Sequence, residues 1–235
     1  MYEIAPEGEG YRIIEGGSRP GYSVPSLMDM INRLLALLHA KALSHFEGTI
    51  RIHAGYGERD GRRFIVVGDK GTGKSTLMVK LLLGGFRVTG DELVLVKDGV
   101  AFPFPRKFHI KEGSVPLLPE MAGLFETLPW NDTTYGQRMF SFSPIDIGRE
   151  WKVDAGKIDA IFHLEPNHGK KTYIEECPKY RMVERVMPMT YLSETEDHKK
   201  IPELCRIVDE ADCYVLGIGD LEGAVDALHQ KMTVI

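Results

Sequence analysis

The sequence predicts an α/β fold in which a mixed sheet is flanked by helices, preceded by a short N-terminal helical appendage. First, an apolar strand at 63–67 runs into a glycine-rich loop and then into an amphipathic helix at 75–83. Second, strand-like runs outnumber the helices that strict β-α alternation would supply, so a mixed sheet is expected. Third, a Gly- and Pro-rich start and one amphipathic helix set residues 1–48 apart from a main domain at 49–235.

Length and composition limit the class of protein to which the chain can belong. The 235 residues suffice for one sizeable α/β domain with an appendage, and 43% hydrophobic with 27% charged residues is typical of a globular protein. A net charge of −5 without a basic cluster argues against a nucleic-acid partner. No apolar run is long enough to span a bilayer, and the three cysteines form no CxxC pair. We therefore expect a cytoplasmic protein without a membrane partner.

The appendage is predicted to hold one strand and one helix. The apolar stretch 11–14 is interpreted as an edge strand. Ser26 followed by Asp29 resembles a helix cap, and the helix is predicted over 26–46. One of its faces is apolar and is expected to pack on the main domain or on another subunit: Leu27, Ile31, Leu34 and Leu38.

The main domain alternates apolar runs with turn residues. Its predicted strands are 50–54, 63–67, 86–88, 93–96, 100–102, 158–164, 172–176 and 213–218. Its predicted helices are 75–83, 178–187, 196–211 and 221–231. Residues 55–61 are expected to form a turn, and 103–157 long loops with a short helix near 120–127.

The loop after the strand at 63–67 matches the phosphate-binding pattern Gly68-x₄-Gly73-Lys74-Ser75 in full. Glycines let the backbone N–H groups point inward around an anion, and the following helix adds its positive end. Lys74 would reach the β- and γ-phosphates, and Ser75 would ligate Mg²⁺. An ordinary strand–helix turn is the alternative. We predict that ATP with Mg²⁺ binds here through these residues: Gly68, Lys70, Gly71, Thr72, Gly73, Lys74, Ser75 and Thr76.

An acidic pair, Asp91-Glu92, lies between two strand-like runs downstream of the loop. Carboxylates at such a point are placed to hold Mg²⁺ directly or through water, and one of them could accept a proton from a hydroxyl nucleophile. A charged turn between two strands is the alternative. The sequence does not decide which acid faces the substrate.

Four stretches in order, Ile52-His53-Ala54-Gly55, 65–75, 85–92 and 213–222, carry a family resemblance over roughly 50–235. The chain resembles the catalytic domain of HPr kinase/phosphorylase and its HPr-kinase-like relatives, which share a fold with ATP-dependent phosphoenolpyruvate carboxykinase. The resemblance implies an HPr kinase C-terminal-domain-like fold, use of ATP and Mg²⁺, and a homo-oligomer.

The resemblance also implies roles for individual residues. Asp91 would be the base or phosphoryl-relay acid, Glu92 its partner near the metal, and His53 a residue close to the phosphates. Arg106 and Lys111-Glu112 fall where the family has a basic residue and a further metal-site acid. The implied catalytic residues are Asp91, Glu92, His53 and Arg106, and the implied metal ligands are Ser75, Asp91, Glu92 and Glu112.

Departures from the family pattern bear on the substrate. Glu92 stands where the kinase/phosphorylase has Asp, and Thr76 stands where it has an acidic residue. These differences argue against HPr as the substrate and against phosphorylase activity. The leading hypothesis is a kinase that phosphorylates a hydroxyl of a protein or peptide serine or of a small metabolite, with 103–157 selecting the acceptor. The alternatives are a nucleotide-binding regulatory module with little turnover and a carboxykinase-like enzyme, which would need clustered arginines.

Overall fold

The computed structural model describes residues 2–16, 21–46, 48–132, 137–151, 153–191 and 197–233. Two compact units make up the chain, Met1–Gly48 and Thr49–Ile235. The predicted α/β architecture, a mixed sheet with flanking helices, is confirmed. Within the described residues, no helix combines the length and the apolar character needed to cross a membrane.

The N-terminal unit is a three-stranded antiparallel sheet with one helix. Its strands β1 (Tyr2–Glu7), β2 (Gly10–Glu15) and β3 (Tyr22–Val24) lie in that order, followed by helix α1 (Leu27–Leu43). The prediction of an edge strand at 11–14 is wrong, because β2 is the middle strand and pairs on both sides. The sequence does not predict β1, which contains Pro6, or β3, which is only three residues long; both are strands through backbone pairing with β2.

Helix α1 begins where the sequence predicts. Ser26 caps it, because its hydroxyl oxygen accepts a hydrogen bond from the backbone N–H of Asp29 at 3.1 Å. The helix ends at Leu43, earlier than the predicted end at 46. In the predicted apolar stripe Leu34 is half-buried, whereas the other members are exposed: Leu27, Ile31 and Leu38. The packing of that stripe stays a prediction.

The second unit contains the remaining elements. Its strands are β4 (Ile50–Ile52), β5 (Gly55–Arg59), β6 (Arg62–Val67), β7 (Arg87–Gly90), β8 (Val94–Lys97), β9 (Val100–Pro103), β10 (Phe108–Lys111), β11 (Trp130–Asp132), β12 (Arg138–Phe142), β13 (Ala160–Pro166), β14 (Tyr173–Glu176), β15 (Thr190–Tyr191) and β16 (Asp212–Ile218). Its α-helices are α2 (Lys74–Leu83), α3 (Ala122–Thr127), α4 (Lys179–Val186), α5 (Asp197–Glu210) and α6 (Leu221–Thr233). Short 3₁₀ helices lie at Glu112–Leu117, Pro119–Met121, Pro144–Ile147 and Met187–Met189.

A six-stranded sheet of order β14-β16-β13-β6-β5-β7 forms the centre of this unit. Strands β6, β13 and β16 are parallel, and the other pairings are antiparallel. Side chains alternate across it: Phe64 and Val66 of β6 enter one core, while Ile65 and Val67 enter the other. Burial on both faces explains why the last four residues of β6, 64–67, are all apolar.

Each face of the central sheet is covered. Helices α2, α3 and α6 and a small antiparallel sheet, β10-β12-β11, contribute to the core on one face. A four-stranded sheet, β15-β4-β8-β9, and helices α4 and α5 contribute to the core on the other. The loop between β6 and α2 therefore connects a strand at the centre of the sheet to a helix packed on that sheet.

The turn predicted at 55–61 is wrong for most of its length, since β5 occupies it. The glycines there serve close packing. A Cβ atom on Gly55 would lie 2.6 Å from the Cγ of Met78, and one on Gly57 would lie 2.6 Å from the Cζ of Phe64. The turn itself is confined to Asp60-Gly61, where both residues have positive φ, 50° and 82°.

The loops predicted at 103–157 contain the small sheet, so that prediction is also wrong in part. The short helix near 120–127 is confirmed as α3. Strands β10 and β12 pair with each other, and their alternate residues Phe108, Ile110 and Phe142 are buried. Frequent Pro and Gly residues around these short strands mask the alternation in the sequence.

Candidate active site

The glycine loop 68–73 joins β6 to α2. Gly71 and Gly73 have φ of 92° and 93°, which a residue with a side chain adopts only at a cost. Gly73 is also the N-cap of α2 and makes no side-chain cap bond. The first backbone N–H groups of α2 therefore receive no acceptor from the cap, as at helix N-termini that bind anions.

A cavity of about 430 Å³ opens beside this loop. The loop and the start of α2 form one side, the segment after β7 a second, and the small sheet a third. The described lining residues are His53, Asp69, Lys70, Gly71, Gly73, Lys74, Ser75, Thr76, Asp91, Glu92, His109, Ile110, Lys111, Ser114, Gln137 and Met139.

Asp91 is buried in the wall of this cavity, with only 3% of its surface exposed. Burial raises its pKa to about 6; a hydrogen bond from Ser75 and the charge of Lys74 oppose this rise, and Glu92 adds to it. Its Oδ1 atom has no hydrogen-bond partner. A buried carboxylate oxygen without a donor is costly, and such groups concentrate at functional sites. Asp91 is therefore suited to meet a donor or a cation inside the cavity.

Lys74 supplies a positive charge at the start of α2. It is buried, and burial lowers the pKa of its ammonium group, while the charges of Asp91 and Glu92 raise it. A poorly hydrated ammonium group interacts more strongly with an anion than an exposed one, because the effective dielectric is lower. The loop N–H groups and Lys74 together favour a multiply charged anion.

Glu92 and His53 are held in place by contacts around the cavity. The guanidinium of Arg106 forms a salt bridge with the Glu92 carboxylate. The Nδ1 of His53 lies 2.9 Å from the backbone oxygen of Glu92; a carbonyl only accepts, so Nδ1 is the donor. Burial, followed by the charge of Lys74, lowers the pKa of His53. A neutral His53 therefore anchors the acidic segment with its Nε2 free of a proton.

Another wall of the cavity comes from β10 and β12, with His109, Ile110 and Lys111 on the first strand and Met139 on the second. His109, Lys111 and Met139 line the cavity, whereas their neighbours Phe108 and Phe140 are buried in the core. The Nδ1 of His109 lies 2.9 Å from the hydroxyl of Ser141 on the paired strand. Sequence reasoning missed this wall, although the polar–apolar alternation of Phe-His-Ile-Lys would have revealed a strand with one functional face.

Most of the predicted site residues come together. Of those named from the sequence, the following line the cavity: His53, Lys70, Gly71, Gly73, Lys74, Ser75, Thr76, Asp91 and Glu92. Gly68 packs against β13, Thr72 closes the loop through a 2.9 Å bond to the Asp69 carbonyl, and Arg106 acts through Glu92. Glu112 is not brought into the cavity. It is exposed and lies 3.7 Å from Arg138.

The residues present fit a divalent cation only in part. Across the described ranges, no three His, Cys, Asp or Glu side chains form a group that could hold a metal ion. Ser75, Asp91 and Glu92 nevertheless line one cavity, and the Asp91 oxygen lacks a partner. Mg²⁺ at nucleotide sites typically has one or two carboxylates, with phosphate and water oxygens completing its shell. The site fits Mg²⁺ that arrives with a phosphate ligand.

Fold and site together define the class: a mixed-sheet α/β protein in which a glycine loop lies beside a buried acid. No protein-family model matches the chain, and no curated protein matches its sequence. Among solved structures, the chain is distantly similar to the Hpr(Ser) kinase/phosphatase from Coxiella burnetii. That match has a TM-score of 0.34 and 10% identity, and it covers 77% of this chain and 96% of that chain. Similarity at this level carries no argument about activity.

Proposed function

We propose that the chain is an ATP- and Mg²⁺-dependent phosphotransferase that transfers the γ-phosphate to a hydroxyl of a protein or peptide serine or of a small metabolite. One observation supports this most: the glycine loop and Asp91, whose Oδ1 atom has no hydrogen-bond partner, line the same cavity. Phosphoryl transfer needs a cradle for phosphates and a group that accepts the proton of the nucleophile. All described lining residues belong to the unit Thr49–Ile235, to which we assign the activity.

Each residue has a role that follows from its surroundings. The loop N–H groups and Lys74 hold the phosphates and stabilise the charge that develops on them. Bound Mg²⁺ would supply further charge neutralisation, and Ser75 and Asp91, which line the same cavity, would hold it. A pKa of about 6 leaves Asp91 largely ionised at pH 7 yet more basic than an ordinary aspartate, which suits a proton acceptor.

The acceptor would enter along the wall formed by β10 and β12. His109 and Lys111 give that wall hydrogen-bonding groups and a positive charge facing the loop. A carboxykinase acting on a keto acid would need arginines converging on the substrate carboxylates. No arginine lines the cavity in the described part of the chain, which favours a hydroxyl acceptor instead.

Incubation with γ-labelled ATP and Mg²⁺, with and without cell extract, tests the proposal. We expect label on a new species with the wild type and none with Lys74→Ala. Lys157→Ala, which changes an exposed lysine paired with Glu210, is the matched control and should behave as wild type. ATP binding without any labelled species, or with release of free phosphate only, would contradict a kinase and favour a regulatory module.

A further inference from the structure

A second cavity of about 510 Å³ adjoins the glycine loop on its other side. It shares Asp69 with the first cavity and opens at the carboxyl end of β13. Its described lining residues are Asp69, Thr72, His163, Leu164, Glu165, Pro166, Arg185, Pro188 and Met189. None of the roles assigned so far uses this space.

The strand pairing brings an acid beside the loop. Strand β13 is the parallel neighbour of β6, and His163 pairs with Val67, the last residue before Gly68. Glu165, two residues further, therefore stands at the carboxyl end of the neighbouring strand. Ligands of open α/β sheets bind outside such strand ends, and in dinucleotide-binding folds an acid there accepts hydrogen bonds from ribose hydroxyls.

A polar cluster holds this acid in position. Arg185 forms a salt bridge with Glu165, and its Nη1 lies 2.7 Å from the Nδ1 of His163. A guanidinium only donates, so Nδ1 of His163 is the acceptor and the ring proton is on Nε2. Burial, followed by the charge of Arg185, lowers the pKa of His163 and favours the neutral ring. One arginine uses only part of the acceptor capacity of a carboxylate, so Glu165 can bind further donors.

The rest of the second cavity is suited to an aromatic ring. Leu164, Pro166, Pro188 and Met189 line it, and the sulfur of methionine packs favourably against aromatic groups. Polar side chains from the loop, β13 and α4 line the same cavity, and such a mixture of apolar and polar groups is suited to hold and orient a small molecule.

The direction of a bound nucleotide follows from the strand order. Asp91 comes after β7, on one side of β6, whereas β13 lies on the other side. A nucleotide whose terminal phosphates meet Lys74 and Asp91 can cross the loop and reach the second cavity. We propose, building on the kinase assignment, that the second cavity holds the nucleoside, with Glu165 accepting hydrogen bonds from the ribose hydroxyls and Arg185 as a positioning residue.

Calorimetry on the wild-type chain with Mg²⁺ tests this without any substitution. The ligands are ATP, 2′,3′-dideoxy-ATP and inorganic tripolyphosphate. We expect ATP to bind about tenfold or more tightly than dideoxy-ATP, the usual effect of losing hydrogen bonds to a charged group. Equal affinity for ATP and dideoxy-ATP would overturn the proposed nucleoside site. If tripolyphosphate still binds in that case, the proposed phosphate site is retained. Binding of neither ATP nor tripolyphosphate overturns the kinase assignment itself.

Glu165→Gln supplies the matching variant. It should bring the affinities for ATP and dideoxy-ATP closer together and leave tripolyphosphate binding in place. Glu175→Gln, which changes an exposed glutamate on β14, is the control and should discriminate as the wild type does. An unchanged preference for ATP in Glu165→Gln overturns the role of Glu165. If that variant does not fold, the comparison of ligands on the wild type decides alone.

Discussion

Replacing Asp91 with asparagine should stabilise the folded chain while abolishing phosphoryl transfer. The carboxylate is buried and one of its oxygens has no donor, so the ionised form is disfavoured in the free protein. An amide of the same shape removes the buried charge. It cannot accept the proton of a hydroxyl and is a much poorer ligand for Mg²⁺.

The size of the stabilisation follows from the pKa of Asp91, which burial raises from 3.8 to about 6. Each pKa unit corresponds to about 1.4 kcal/mol, so the buried charge costs about 3 kcal/mol at neutral pH. Between these two values the folded state binds more protons than the unfolded state, and stability therefore falls as pH rises. The gain in Asp91→Asn should be complete above pH 6 and absent below pH 4.

Urea unfolding at pH 7.5 and at pH 5 measures this gain in the absence of nucleotide. We expect about 3 kcal/mol at pH 7.5 and about half of that at pH 5. Asp60→Asn is the matched control: it lies exposed in a turn with φ of 50°, a conformation that asparagine tolerates. Turnover of Asp91→Asn should fall by about 10²–10⁴-fold with ATP still bound.

Two results would refute this account of Asp91. Equal stability of variant and wild type at pH 7.5 would show that the carboxylate is not penalised by burial. Full turnover in Asp91→Asn would show that it neither accepts the proton nor holds the metal. Partial rescue of turnover by added Mg²⁺ would instead assign Asp91 to the metal alone.

Three further predictions concern the surroundings of the site. Lys74→Ala should weaken ATP binding by about 1.5–3 kcal/mol with an unchanged melting temperature; unaltered affinity in calorimetry would contradict its phosphate contact. Glu92→Gln, which removes the charge that pairs with Arg106, should lower turnover more than ATP affinity, and steady-state kinetics showing the reverse would speak against it. Lys80→Met should change the free energy of unfolding by less than about 1 kcal/mol, because the buried cation is removed while the glutamates that pair with it, Glu120 and Glu222, are exposed and stay hydrated; urea unfolding showing a larger loss would contradict this.

The features that the sequence predicts well are local. The loop 68–75 is predicted from its glycine spacing, and the helix after it from the helical spacing of its apolar residues. Loop and helix belong to one continuous strand–loop–helix segment. The acidic pair Asp91-Glu92 is also visible in the sequence, because it lies between two short strand-like runs. Such signals require no knowledge of partners distant in sequence.

The features that the sequence does not predict depend on distant partners. The sequence predicts a turn where β5 lies, because the side chains that explain Gly55 and Gly57 are those of Met78 and Phe64, which lie outside the segment 55–61. The cluster at the second cavity joins residues from β13 and α4 that have no shared motif. Glu112 is named by the resemblance alone; its side chain lies beside Arg138 and does not line the cavity, so its role as a metal ligand stays a prediction.

The close contact between Gly55 of β5 and Met78 of α2 makes a prediction for genetic selection. Met78 lies one helical turn after Lys74 and is fully buried against the strand that contains Gly55. A side chain at position 55 would press on the buried Met78 side chain, which belongs to the helix whose first residues we propose to bind the phosphates. A selection for loss of nucleotide binding should therefore return substitutions at position 55, which lines neither cavity, alongside those in the loop.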